Sequence, residues 1–148
     1  MSARPSDNPA AGSSASAQSS LSWLQKRAAG VLLHPTSLPS AFGVGAFDAA
    51  AERFLEFLHT AGFAYWQICP LGPTGFGDSP YQCFSSFAGN PNLIDPAPLV
   101  RSGLLPATAV EVLRRLPTAA ADFGGLYQHK RPLLFAAYRQ WARSGRPD

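Results

Sequence analysis

The chain has 148 residues, enough for one compact domain and too few for two ordinary ones. Hydrophobic residues make up 46% and charged residues only 14%, so core material is plentiful, and so thin a charge coat suits a piece that packs against more chain. The net charge of +3, from 12 basic and 9 acidic residues, is dispersed rather than gathered in a stripe, which argues against nucleic acid as a partner.

The densest basic region, Lys130 to Arg146, reads as a solvated helix face with its basic end at the negative helix terminus. The two cysteines, Cys69 and Cys83, have no metal-type spacing and are read as free thiols in a reducing compartment. No segment approaches the ~20 apolar residues of a membrane span. The N-terminus has no apolar run after its arginine and so is not a secretory signal. The expected location is the cytoplasm.

In chain order, residues 1–20 are mostly Ser, Ala, Pro and Asn and cannot offset the entropy of ordering, which predicts a disordered tail. Structure is expected from Leu21–Trp23 onward. GVLLH, Gly30–His34, is a short apolar run ended by Pro35. It reads as a buried parallel strand covered on both faces. A Gly-rich link leads to a helix with Asp48 as its cap and Gly62 at its end. Phe47, Ala51, Phe54, Leu55, Leu58 and Ala61 share one face at helical spacing, and Glu52 and Glu56 fall on the solvated side. Ala64–Cys69 reads as a second strand, ended by Pro70. Strand, helix and strand in about 40 residues make a βαβ unit with parallel strands and a right-handed crossover. Leu71–Pro98 is a long irregular connection. PATAVEVLRRL and HKRPLLFAAYRQWARSG read as two further helices, the second with Leu134, Tyr138 and Trp141 as its core stripe.

The polar residues gather after the two strands. His34, Thr36 and Ser37 follow the first; Thr74, Asp78, Ser79, Tyr81, Gln82 and Asn90 follow the second. In parallel α/β architectures sites form at this carboxyl end, where neighbouring loops converge. Tyr81, Phe84, Phe87 and Phe76 supply flat apolar faces; Asp78, Ser79, Gln82 and Asn90 supply hydrogen bonds. No Lys or Arg lies between Arg53 and Arg101, so a phosphate is a poor fit. A neutral, hydroxyl-rich ligand with apolar C–H faces, such as a sugar, fits. The same residues also describe a self-packed structural loop. His34 likewise has two readings, an imidazole for a sugar hydroxyl and a tie between the strand end and nearby backbone.

Three segments carry a family likeness: R-x-x-GVLLHPTSLPS at Arg27–Ser40, WQICPLGPTGFGDSPYQCFSSFAGNPNLID at Trp66–Asp95, and Gly103–Leu105. In this order, and separated by a helix of suitable length, they resemble the N-terminal part of the 4-α-glucanotransferases. These are the amylomaltases, or disproportionating enzymes, of the α-amylase superfamily. The resemblance covers Leu21 to the C-terminus. It implies an α/β fold, the N-terminal portion of a (β/α)8 TIM barrel. Residues 21–105 would hold its first two strands and first helix, and residues 106–148 the start of a helical insertion.

The activity implied is retaining transfer of an α-1,4-glucan segment to a new 4-position on an acceptor glucan or glucose. Maltooligosaccharides are the implied partners, and no cofactor, metal, nucleic acid or membrane is implied. Tyr81, the tyrosine of SPYQ, would stack on the sugar ring beside the cleaved bond, with Ser79 and Asp78 lining or shaping that subsite; His34 and Asn90 complete the candidate substrate-binding set.

Retaining chemistry needs a nucleophile and an acid/base about 5–5.5 Å apart. In the family these carboxylates lie on later barrel strands. Asp48, Glu52, Glu56, Asp95, Glu111 and Asp122 match no catalytic position, so no catalytic residue is assigned. A barrel typically takes about 250 residues, so the chain reads as an amino-terminal fragment or truncated reading frame, inactive by itself. Two alternatives are a non-catalytic glucan-binding fragment and a hydrolase of the same superfamily.

Overall fold

The structure, a computed structural model, describes residues 26–75 and 77–145. The expected tail at 1–20, the start near Leu21–Trp23 and the Phe76 side chain lie outside the described residues. Strand β1 is Gly30–Leu32 and strand β2 is Tyr65–Gln67. They pair in parallel, Val31 opposite Trp66. Each is shorter than the apolar runs suggest. Hydrogen bonds from Ala64 N to Ala29 O and from Leu33 N to Gln67 O extend the pairing slightly at either end. Beyond them His34 becomes the cap of a 3-10 turn at Pro35–Ser37, and a proline-bearing turn cannot continue a ladder.

Helix α1, Ala49–Thr60, crosses between the strands. Asp48 Oδ1 accepts from Ala50 N at 2.8 Å and from Ala51 N at 3.3 Å, satisfying donors that the first turn leaves unpaired. Gly62 ends the helix at φ 77°, a left-handed conformation that costs a residue with Cβ. Ala50, Ala51 and Leu58 are buried. Phe54 packs edge-on against Trp66, with ring centroids 5.1 Å apart, so α1 covers the sheet face that carries Trp66. The expected apolar stripe is only partly covered: Phe47 and Leu55 remain exposed.

Among the described residues, one face of the sheet is covered and the other is not. Leu32 is 60% exposed and Tyr65 is also exposed. They point away from α1, because side chains alternate along a strand, and no described element packs over that second face.

The connection after β2 is less irregular than expected. It contains a 3-10 turn at Pro91–Leu93 capped by Asn90 and helix α2, Pro96–Arg101, capped by Asp95. A 3-10 turn at Ala107–Val110 runs into helix α3, Glu111–Arg114. Helix α4, Phe123–Arg143, starts six residues before the expected His129, because Asp122 Oδ1 accepts from Gly125 N at 2.9 Å and caps it there. Phe42, Leu105, Val110, Leu113 and Ala137 form the core, joined by Leu99, Leu116 and Leu133.

The buried stripe of α4 is also displaced from expectation. Leu126, Lys130 and Ala137 are its buried residues, whereas Tyr138 is 57% exposed and lies beside Trp141 with the two rings tilted by 36°. Contact with α3 and with the Pro91–Leu93 turn selects the register that includes Lys130. No described helix is long and apolar enough to cross a membrane.

Candidate functional site

The carboxyl ends of β1 and β2 lie side by side because the strands are parallel and in register. Trp66 Nε1 donates to Leu33 O at 2.7 Å, tying the second strand to the end of the first. His34 follows directly. Its Nδ1 accepts from Thr36 N at 3.3 Å and lies 2.7 Å from Thr36 Oγ1. An Nδ1 that accepts from a backbone N–H carries no proton, so in the neutral ring the proton sits on Nε2. That atom is buried without a hydrogen-bond partner among the described residues. Burial lowers the His34 pKa from its usual value, and the neighbouring Pro70 carbonyl partly offsets this. His34 is thus the cap of the 3-10 turn at Pro35–Ser37.

Beyond Pro70 the chain doubles back. An antiparallel bridge pairs Thr74 with Cys83, and Phe84 N donates to Pro73 O. At the tip Asp78 adopts φ 52°, an uncommon conformation for a residue with Cβ, though Asp tolerates it better than most. The Thr74 hydroxyl donates to its Oδ1 at 3.3 Å, and Asp78 N donates to Gly75 O. Ser79 Oγ accepts from Tyr81 N at 3.4 Å, and Ser79 O accepts from Gln82 N. The loop is thus shaped by its own short-range polar bonds.

On this frame Tyr81 stands 73% exposed. Its hydroxyl accepts from Cys69 Sγ at 3.5 Å, and the sulfur raises the phenol pKa above the usual tyrosine value. Phe84 and Phe87 are exposed as well. Both cysteines are free thiols.

Of the five candidate residues, Asp78 and Asn90 line a cleft of about 650 Å³ between this loop and α4. Tyr81, Ser79 and His34 lie outside it. Asn90 is buried; its Oδ1 accepts from Asn92 N at 2.9 Å and its N donates to Leu71 O.

The opposite wall of the cleft carries Tyr127, Arg131 and Phe135. The Arg131 guanidinium lies over both rings, 5.2 Å from Tyr127 and 5.9 Å from Phe135. Sequence reasoning missed these three. Their i, i+4, i+8 spacing was the available signal, since an aromatic–Arg–aromatic row falls on one helix face.

Lys130, also missed, sits behind that wall. It is 1% exposed, and its Nζ donates to Asn92 O at 2.8 Å. Burial lowers its pKa to about 8, against the pull of Asp95 and Asp48.

Asp48, Asp95 and Asp122 each cap a helix, and Glu111 meets Arg114 at 3.3 Å. Among the described residues no group of three or more His, Cys, Asp or Glu converges on a metal position. The arrangement can hold a neutral ligand against aromatic faces and hydrogen-bonding groups.

The two strands, the crossover helix and the loops at their carboxyl end make up one parallel β/α unit. The family model for 4-alpha-glucanotransferase matches residues 33–147, and the chain belongs to that family. It is 49% identical over 122 residues to the 4-alpha-glucanotransferase of Thermus thermophilus, covering 82% of this chain and 24% of that protein. With the chloroplastic/amyloplastic 4-alpha-glucanotransferase of Solanum tuberosum it is 38% identical over 128 residues, covering 80% of this chain and 22% of the relative. The solved amylomaltase of Streptococcus agalactiae, in complex with acarbose, superposes with a TM-score of 0.75 at 40% identity, over 82% of this chain and 25% of that one. The chain spans about a quarter of the length of the relatives it matches.

Proposed function

We propose that this chain supplies the glucan-holding part of a 4-α-glucanotransferase, which moves a segment of an α-1,4-glucan to a new 4-position by a retaining double displacement. The observation that carries the reading is Tyr81: a large ring left 73% exposed on a loop cross-linked by its own hydrogen bonds. An exposed ring so held is a surface for a sugar's C–H face. Ser79 and Asp78 fix the loop on which the ring stands, Asn90 holds its base, and His34 braces the neighbouring strand end. The relative solved with acarbose, a sugar-like ligand, supports a glucan as the partner.

In this reading residues 21–105 form the first β/α units of a (β/α)8 barrel and residues 106–148 begin a helical insertion. The uncovered sheet face with Leu32 and Tyr65 is then the side turned to the barrel interior. The two carboxylates of the double displacement come from chain outside these units, so the 148 residues alone bind glucan without transferring it. A cytoplasmic location goes with the two free thiols.

Calorimetric titration of the chain with maltoheptaose tests this. A sugar face on the Tyr81 ring covers roughly 60 Å² of apolar surface, worth about 1.5 kcal/mol at ~25 cal/mol per Å². Tyr81→Ala is therefore expected to weaken binding about tenfold, and incubation with maltotriose is expected to release no glucose. Unchanged affinity in Tyr81→Ala would remove the basis of the proposal, and glucose release would contradict the assignment of the cutting groups elsewhere.

A further inference from the structure

Tyr81 is held unevenly. Its backbone is well fixed: Tyr81 N donates to Ser79 Oγ, and the carbonyl of Pro80 accepts from Cys83 Sγ at 3.1 Å. Its ring is not packed, being 73% exposed. A ring in that situation can turn between rotamers at little cost, and a stacking surface that turns loses the orientation a sugar needs.

The contact that orients the ring comes from the strand. Cys69 lies just past the end of β2, and its Sγ donates to the Tyr81 hydroxyl at 3.5 Å. The position of Cys69 is set on both sides. Trp66 is bonded to Leu33 O, and Pro70, whose ring fixes its own backbone angle, has its carbonyl beside His34 and 4.0 Å from Cys83 Sγ.

We propose that Cys69 is a positioning residue for Tyr81: its thiol fixes the angle at which the exposed ring meets a glucan. This inference rests on the reading of Tyr81 as a stacking ring. A thiol–hydroxyl bond is weak, worth well under the ~1 kcal/mol of an ordinary hydrogen bond. The effect on affinity is accordingly a few-fold, not orders of magnitude.

The same contact has a spectroscopic signature. The hydrogen bond with Cys69 is the main cause that holds the Tyr81 phenol above its usual value.

The test combines both readouts on the 148-residue chain. Ultraviolet titration of phenolate, taken as the difference between each protein and its Tyr81→Phe partner, isolates Tyr81 from the other tyrosines. In Cys69→Ala the Tyr81 curve moves to lower pH and maltoheptaose binding weakens about threefold. Cys69→Ser, which keeps a donor at nearly the same place, restores affinity to within about twofold of the wild type. If Tyr81→Ala loses affinity while Cys69→Ala keeps both the affinity and the Tyr81 curve, the positioning role is overturned and the stacking role stands. If neither Tyr81→Ala nor Cys69→Ala changes affinity, the stacking role falls and the positioning role falls with it.

Discussion

Lys130 offers the sharpest test of the packing. It is a cation buried to 1% exposure with its Nζ on the Asn92 carbonyl, and its pKa falls from 10.5 to about 8. Up to pH 8 the lysine is charged in both folded and unfolded chains. Between about pH 8 and 10.5 the folded lysine has lost its proton and the unfolded one has not. The unfolded chain then binds more protons, so stability from this group rises with pH across that window. At about 1.4 kcal/mol per pH unit, the rise totals about 3 kcal/mol.

Lys130→Met removes the titration. Near pH 7 the variant gains by no longer burying a charge and loses by leaving the Asn92 carbonyl unpaired, about 1–3 kcal/mol each way. The two proteins should therefore be similar in stability there. Toward pH 10.5 the wild type should become the more stable by about 3 kcal/mol, since a neutral amine still donates to Asn92. Urea unfolding followed by Trp66 fluorescence at pH 7, 8, 9 and 10.5 measures this. Groups common to both proteins cancel in the difference. Parallel stability curves across that range would refute the burial of the ammonium.

His34 works in the opposite pH region. Its pKa is lowered by burial, so stability from the neutral ring is present above the usual 6.5 and declines as pH falls through that value; His34→Gln should flatten this acid-side slope in urea titrations, and an unchanged slope would count against the buried neutral ring. Gly45 is limited by space: a Cβ there would lie 2.1 Å from Pro35 O and 2.6 Å from Leu38 O. Gly45→Ala should cost about 3 kcal/mol or more and lower Tm by more than about 12 °C; a change within about 3 °C would show that the loop after β1 has room to move.

What could be read in the sequence was what depends on neighbours within four or five positions. Asp48 as a cap, Gly62 as a stop and Pro35 and Pro70 as ends of extended runs all act through bonds or clashes a few residues long. The parallel pairing of the two strands followed from the helix between them. The family likeness of the segments around His34 and Tyr81 had the same source, since each is one unbroken stretch. Cys69 and Cys83 were also read as free, and they are.

Tertiary structure decided the rest. The α4 stripe was expected at Leu134, Tyr138 and Trp141, and packing chose Leu126, Lys130 and Ala137. A lysine is a poor candidate for burial until an acceptor is found, and here the acceptor, Asn92, lies 38 residues away. The wall of Tyr127, Arg131 and Phe135 became part of a cleft only because α4 packs against the turn at Pro91–Leu93. The Pro70 carbonyl comes beside His34 only because the two strand ends are brought together by folding. Local rules assign an element and its ends, because their energies are set within a turn. Which face of that element is buried, and which polar atoms find partners, depends on chain brought close only by folding.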